Sequence, residues 1–195
     1  MKQISYAAAR SIMSPGDVLA FGGNGFISDT IKLVTGCPAS HVGVILQSNV
    51  PTLEGVFINQ IIESTSLGEG FAGVKINRVS DHIRDYDGEI WCLPLATRIK
   101  EDLDQGIFFS FLLDQVGKKY DSPQAIGSAL DFIRDNREDI DLLFCSELIA
   151  AAFEEVGIIG EINASEQTPA DICNMDIFGE PYQLKGDPKE ILLHT

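Results

Sequence analysis

The hydrophobic pattern changes period partway along the chain, and that change limits the fold more than any other feature of the sequence. Before about residue 97 the apolar residues come in short runs rich in β-branched side chains. They are "DVLAFG" after the Pro15-Gly16 turn, "HVGVILQ" over 41–47, "VFINQIIEST" over 56–65, then "GVKINRV" and "EIWCLPL". Such runs between turn-forming residues read as strands. One helix interrupts them, "SDTIKLVTG", with Ser28 as its N-cap and Gly36 just past its end. After residue 97 the spacing is helical. In "EDLDQGIFFSFLLDQVG" the apolar positions Leu103, Ile107, Phe108, Phe111, Leu112 and Val116 share one face. "SPQAIGSALDFIRDN" follows, with Pro123 near its first turn, and then "SELIAAAFEEVG", which stops at Gly157. A final strand is expected at "PYQLK" in the Pro- and Gly-punctuated tail. Strands first and helices second predict an α+β fold rather than a run of βαβ units. With no repeat, low-complexity tract or linker, residues 1–195 are expected to form a single domain.

Composition narrows the function classes. The net charge of −15 is spread along the chain, a surface that repels phosphate backbones and anionic lipid, so nucleic acid is excluded as an expected partner. No stretch approaches the ~18 apolar residues of a membrane span. The N-terminal "MKQISYAAARSIMSPGDV" has no apolar run of signal-peptide length, and Arg10 interrupts it, so a cytoplasmic protein with reduced thiols is expected. The four cysteines, Cys37, Cys92, Cys145 and Cys173, contain no CxxC pair and match no zinc signature. A zinc site is therefore not expected, and the chemistry that the resemblance described below implies needs no metal or organic cofactor.

Cys145 stands at the mouth of the third helix of the second half. It is three and four residues before Leu148 and Ile149, which places it on the inward face with the stripe of Leu148, Ala152 and Val156. A free cysteine there packs as a small hydrophobe unless something activates it. A first-turn position would supply such activation, because unpaired backbone N–H groups and the helix dipole favour a thiolate and can also donate to an oxyanion. What the cysteine then needs is a base.

Of the three histidines, His194 is next to the C-terminus, and His82 falls in "RVSDHIRDYDGE", a charged run read as a solvated loop. His41 opens a strand. If the hairpin 41–65 turns near Thr52, antiparallel pairing sets His41 opposite Glu63, with Cβ atoms about 4.5–5.5 Å apart. Val42, Val44 and Leu46 would then face the core, and His41 and Glu63 the other side. A carboxylate beside an imidazole fixes its tautomer and raises its basicity. A slip of one residue would put Ser64 or Ile62 there instead. Taken singly, His41 also suits a capping role and Glu63 a solvated strand end.

In chain order, "PGDVLAF", "ASHVGVIL", "IIES", "GKKYDSP", "LFCSELIAAAF" and "TPADI" resemble the circularly permuted papain-like cysteine hydrolases of the YiiX and YaeF type, within the wider NlpC-like superfamily. The resemblance runs from about Gly16 to Ile172. Its most specific part is the long-range pairing of S-H-V-G-V with F-C-S-E-L. The histidine strand precedes the cysteine helix, which is the order of the permuted branch. The resemblance implies an antiparallel, partly closed sheet packed against a cysteine-bearing helix. It implies Cys145 as nucleophile, His41 as base and Glu63 as the residue orienting His41, and it places Tyr120 of the "YD" element in the pocket for substrate contact or oxyanion help. Otherwise Tyr120 is an aromatic core residue near a helix end. The segment Gly68 to Tyr86 departs from the family pattern and reads as a loop that shapes the pocket.

The chemistry so implied is acyl transfer through a thioester, on a peptide, isopeptide, other amide or ester substrate. Two rival classes share the fold. One is a thiol acyltransferase or phospholipase of the lecithin:retinol acyltransferase kind, which exposed apolar surface near the site would favour. The other is a non-catalytic binding module, against which the joint presence of Cys145, His41 and Glu63 argues. A metal site built from His41 and cysteines has no supporting ligand spacing.

Overall fold

The five strands predicted for the first half and the one predicted for the tail pair, with a further short strand at Lys2–Gln3, into one seven-stranded sheet. The computed structural model describes residues 1–65, 72–119 and 140–191. The strands are β1 (Lys2–Gln3), β2 (Val18–Gly23), β3 (His41–Pro51), β4 (Phe57–Thr65), β5 (Gly73–Arg78), β6 (Gly88–Leu93) and β7 (Tyr182–Lys185). Their order in the sheet is β1-β7-β6-β2-β3-β4-β5, and every neighbouring pair is antiparallel except β1 with β7, which is parallel. The helices are α1 (Tyr6–Ala9), α2 (Phe26–Thr35), α3 (Val79–Asp85), α4 (Thr97–Asp102), α5 (Gln105–Gln115), α6 (Ile140–Glu155) and α7 (Pro169–Cys173). The α+β class follows. The predicted helix around Pro123, the Tyr120 position and His194 lie outside the described residues.

Both faces of the sheet are covered. On one, Val42, Val44 and Leu46 of β3 join Val18, Ala20, Trp91 and Leu93 against α5, α6 and α7, with Phe108, Leu148, Ile149, Phe153 and Ile172. On the other, Leu19, Phe21, Ile45, Ile61 and Ile90 pack with Ala9 of α1 and Val79 of α3. The face expected to carry His41 and Glu63, opposite the core face, is thus a second apolar layer. Strands buried on both sides read as continuous apolar runs, which is why β2 is buried at all its positions.

Four local readings are corrected. Helix α2 starts earlier than expected, with Gly25 rather than Ser28 at its N-cap, while Gly36 closes it at φ 67° as predicted. The long helix expected over 101–117 is split in two, because the Asp104 carboxylate accepts from the Gly106 and Ile107 backbone N–H groups and starts α5 afresh. Within Gly68 to Tyr86 the described residues are not loop. They form β5 and α3, so the charged run around His82 is helical. Finally, α6 begins before Cys145, which lies more than a turn inside it, so the first-turn position expected for Cys145 does not hold. The α6 stripe is broader than predicted: Cys145, Leu148, Ile149, Ala150, Ala152 and Phe153 are all buried, as befits a helix enclosed on most sides.

Candidate active site

His41 is held by the strand it opens. The Ser40 backbone N–H donates to the Phe21 carbonyl at 2.8 Å, and His41 pairs directly with Phe21 across the β2–β3 ladder. The two rings sit 5.4 Å apart between centroids. The route to Glu63 differs from the predicted one. The hairpin turns farther along, with the Thr52 N–H donating to the Val56 carbonyl and Pro51 pairing with Phe57. Two register shifts, between Ile45 and Gln47 and between Gln47 and Val50, then bring Val44 opposite Ile62. Continued one pair, that register sets Glu63 across from Gly43, and His41 lies diagonal to it. A displacement of two residues keeps both side chains on the predicted face, and long side chains reach across such a diagonal. Gly43 leaves the space: a Cβ there would come 3.1 Å from the Glu63 Cβ.

Across that gap His41 Nε2 and Glu63 Oε2 are 2.6 Å apart, with Glu63 fully buried. Asn77 Nδ2 of β5 donates to Oε1 at 2.8 Å, and His82 Nε2 of α3 meets the same oxygen at 2.5 Å. Each carboxylate oxygen therefore has its own imidazole. Phe21 lies beneath the group, edge-on to His82 at 5.2 Å and to Tyr86 at 5.0 Å. With Nε2 committed to Glu63, the ring nitrogen left to His41 is Nδ1, and the ring is hydrogen-bonded to Cys145.

Burial opposes charge on both central groups, yet their partners outweigh it. Burial would lower His41, but the charge and hydrogen bond of Cys145, then those of Glu63, raise it to about 10, so the ring carries its proton at neutral pH. Burial would raise Glu63, but the hydrogen bonds from His41 and His82 hold it well below the usual carboxylate range. Burial, then the Glu63 charge, pushes the Tyr86 phenol well above its ordinary value, so it remains an O–H donor; it is bonded to Ser40 and close enough to feel Cys145.

The structure thus gathers three of the predicted residues, His41, Glu63 and Cys145, while Tyr120 falls outside the described residues. Cys145 itself is fully buried. Cys37 is bonded to Cys173, a contact that lowers the Cys37 thiol to about 7 despite burial and pushes Cys173 up. That contact is a hydrogen bond, and none of the four cysteines is in a disulfide. Among the described residues no group of three or more His, Cys, Asp or Glu side chains is disposed to hold a metal ion. Likewise, no helix among them is long and apolar enough to cross a membrane.

Asn77 and Tyr86 are not among the site residues expected from the sequence, and His82 is set aside there as part of a solvated loop. A signal for the last two exists: Val79, His82, Ile83 and Tyr86 fall at i, i+3, i+4 and i+7, one helical face. The acidic and basic residues between them hide it.

No protein-family model and no curated protein matches the chain. Among solved structures it is similar to the metalloprotein yiiX of Escherichia coli O157:H7, at 18% identity and a TM-score of 0.47, over 75% of this chain and 68% of that one.

Proposed function

We propose that this chain is a cysteine hydrolase of the permuted papain-like kind, cleaving an amide or ester through a thioester. The observation that carries the reading is the buried His41–Glu63 pair, 2.6 Å apart, with the remaining face of the imidazole bonded to Cys145. In this reading Cys145 Sγ is the nucleophile. His41 takes its proton and holds it, with Glu63 balancing the imidazolium charge. Sγ attacks the carbonyl carbon, forming the C–S bond as the carbonyl π electrons move onto oxygen. When the tetrahedral intermediate collapses, the bond to the amine or alcohol breaks and His41 donates the proton to that leaving group. Water, deprotonated by His41, then releases the acid and restores the thiol. The position of Cys145 inside α6 changes one part of this scheme. Its backbone N–H faces the carbonyl four residues earlier, so it is not a free oxyanion donor. The Tyr86 hydroxyl is the donor we assign instead.

A second reading, acyl transfer to an acceptor other than water, draws on α2. This helix leads through Gly36 into His41, and it exposes Phe26 at 82%, Leu33 at 83% and Val34 at 64%. An exposed apolar face beside the site suits an acyl donor with a long hydrocarbon chain.

Residue-resolved alkylation by iodoacetamide tests the common core of both readings. Cys145 is expected to react at about pH 6, where an ordinary thiol is almost silent, and to lose that reactivity about 10-fold or more in His41→Ala. Cys92, whose thiol burial pushes up, is the silent reference. Reaction of Cys145 no faster than Cys92, or indifference to His41→Ala, would leave Cys145 as a packed core thiol and favour a binding module.

A further inference from the structure

We propose that His82 is a positioning residue for His41, acting through Glu63, so that the site is a four-membered chain running Cys145, His41, Glu63, His82. The inference rests on the reading of His41 as the base and deepens it.

Glu63 is fully buried, so no water can take over a hydrogen bond that it loses. Its two oxygens are divided. Oε2 serves His41, and Oε1 accepts from Asn77 and from His82 at 2.5 Å. Because the carboxylate is ionised and can only accept, His82 must donate from Nε2. Take His82 away and Oε1 keeps only the Asn77 amide. The carboxylate is then held at Oε1 by one donor instead of two, so the 2.6 Å contact that orients the His41 ring is less firmly aimed and more of the carboxylate charge falls on that ring.

The fold holds His82 firmly enough for this role. Val79, three residues earlier on α3, is fully buried in the layer beneath the sheet, Ile83 packs against that layer, and the His82 ring stands edge-on to Phe21. Phe21 supports the His41 ring as well. One aromatic side chain thus sets the height of both imidazoles, and one carboxylate sets their spacing. Around His82, Glu63 comes from β4, Asn77 from β5, and Tyr86, Asp81 and Asp85 from α3 and its end; Lys185 of β7 reaches the Tyr86 carbonyl.

Histidine side-chain NMR on the full ¹⁵N-labelled chain tests the assignment without any substrate. In the wild type, both His41 and His82 are expected to show protonated, hydrogen-bonded Nε2. His82→Ala is expected to raise the His41 titration midpoint by about one pH unit, because a carboxylate relieved of one donor directs more of its charge to the remaining imidazolium. His82→Gln, whose side-chain amide can donate to Oε1, is expected to reverse most of that shift. An unchanged or lowered His41 midpoint in His82→Ala overturns the proposal, as does failure of the Gln variant to reverse the shift. Should the Ala variant not fold, judged by amide dispersion, the wild type decides: a His82 whose Nε2 is unprotonated cannot donate, and the proposal falls. Cys145 alkylation is measured separately. Loss of the His41 dependence there, with the His82 effect on His41 intact, sinks the hydrolase reading and leaves the positioning contact standing.

Discussion

At the scale of residues the central fact is a carboxylate that stays ionised with no access to water. Breaking a buried, hydrogen-bonded charge set is costly, because the groups left behind cannot be solvated. Glu63→Gln is expected to destabilise the protein by about 3 kcal/mol, read by urea unfolding at about pH 6. The pH dependence of stability follows from the directions of the two shifts. His41 is raised from 6.5 to about 10, so its contribution is complete below about pH 6.5 and is lost as pH rises toward 10. Glu63 is depressed below its ordinary 4.5, so its contribution is present above about pH 4.5 and is lost as pH falls further. Together they place greatest stability between about pH 4.5 and 6.5. Melting curves of the wild type should therefore fall steadily from about pH 6.5 to 10, and Glu63→Gln should flatten that limb. Equal slopes in the two proteins would mean that His41 is not charged by this partner.

At the scale of elements the β3–β4 hairpin does the aiming. Its turn, two register shifts and Gly43 together deliver Glu63 diagonally to His41. Gly43→Ala would push a methyl group to 2.5 Å from Ile61 Cδ1 and 3.1 Å from Glu63 Cβ, and Ile61 is itself fully buried. The expected cost is about 2 kcal/mol, together with loss of low-pH Cys145 alkylation as Glu63 is displaced. Gly55→Ala in the turn makes the matching control. Gly55 has φ 76° and open space around it, so only backbone strain of about 1 kcal/mol is expected, with alkylation unchanged. If both variants leave alkylation alike, the close approach at Gly43 is not what orients Glu63. The α6 helix contributes from the other side. Ser146 Oγ donates to the Gln167 carbonyl at 2.5 Å, tying the turn after Cys145 to the segment that enters α7. There Thr168 and Asp171 form a capping box around Pro169, which starts the helix bearing Cys173.

At the scale of the whole molecule the site lies where two apolar layers meet. Cys145 belongs to the layer under α5, α6 and α7, while His41 packs on Phe21 of the opposite layer. The thiol–imidazole contact is therefore only as firm as the seating of α6. Phe153 is the largest of the described buried side chains of α6: it is fully buried, stacked with Phe108 at 6.2 Å and edge-on to Phe178 at 6.5 Å. Phe153→Ala is expected to cost about 3–5 kcal/mol in urea unfolding and to weaken the His41 dependence of Cys145 alkylation. A folded Phe153→Ala protein with full His41-dependent reactivity would show that the contact does not depend on this packing.

How much of this was legible without coordinates depends on how local each feature is. Strand positions and the switch to helices follow from side-chain period, a property of neighbouring residues: the predicted segment 41–47 lies in β3, and 56–65 and "PYQLK" overrun β4 and β7 respectively by one residue at the start. His41 and Glu63 came within reach of each other on paper because strand faces alternate with period two. A register error of two residues left the faces unchanged, although the direct partner of Glu63 proved to be Gly43. What remained hidden was set by distant packing. The turn position and the two shifts in β3–β4 depend on what covers each face, so the sequence alone could not separate a direct pair from a diagonal one. Helix α6 runs back to Ile140, past the point at which the Cys145 segment alone suggested its start. His82 was invisible as a site residue because its partner lies on a strand nineteen residues earlier. Its own neighbours are charged, and only the folding of α3 onto β4 turns the one apolar face of that run toward Glu63. The sequence by itself determined the α+β order and the residue types that meet. The tertiary structure alone decided which of them touch, because hydrogen bonds to a buried carboxylate form only where packing excludes water.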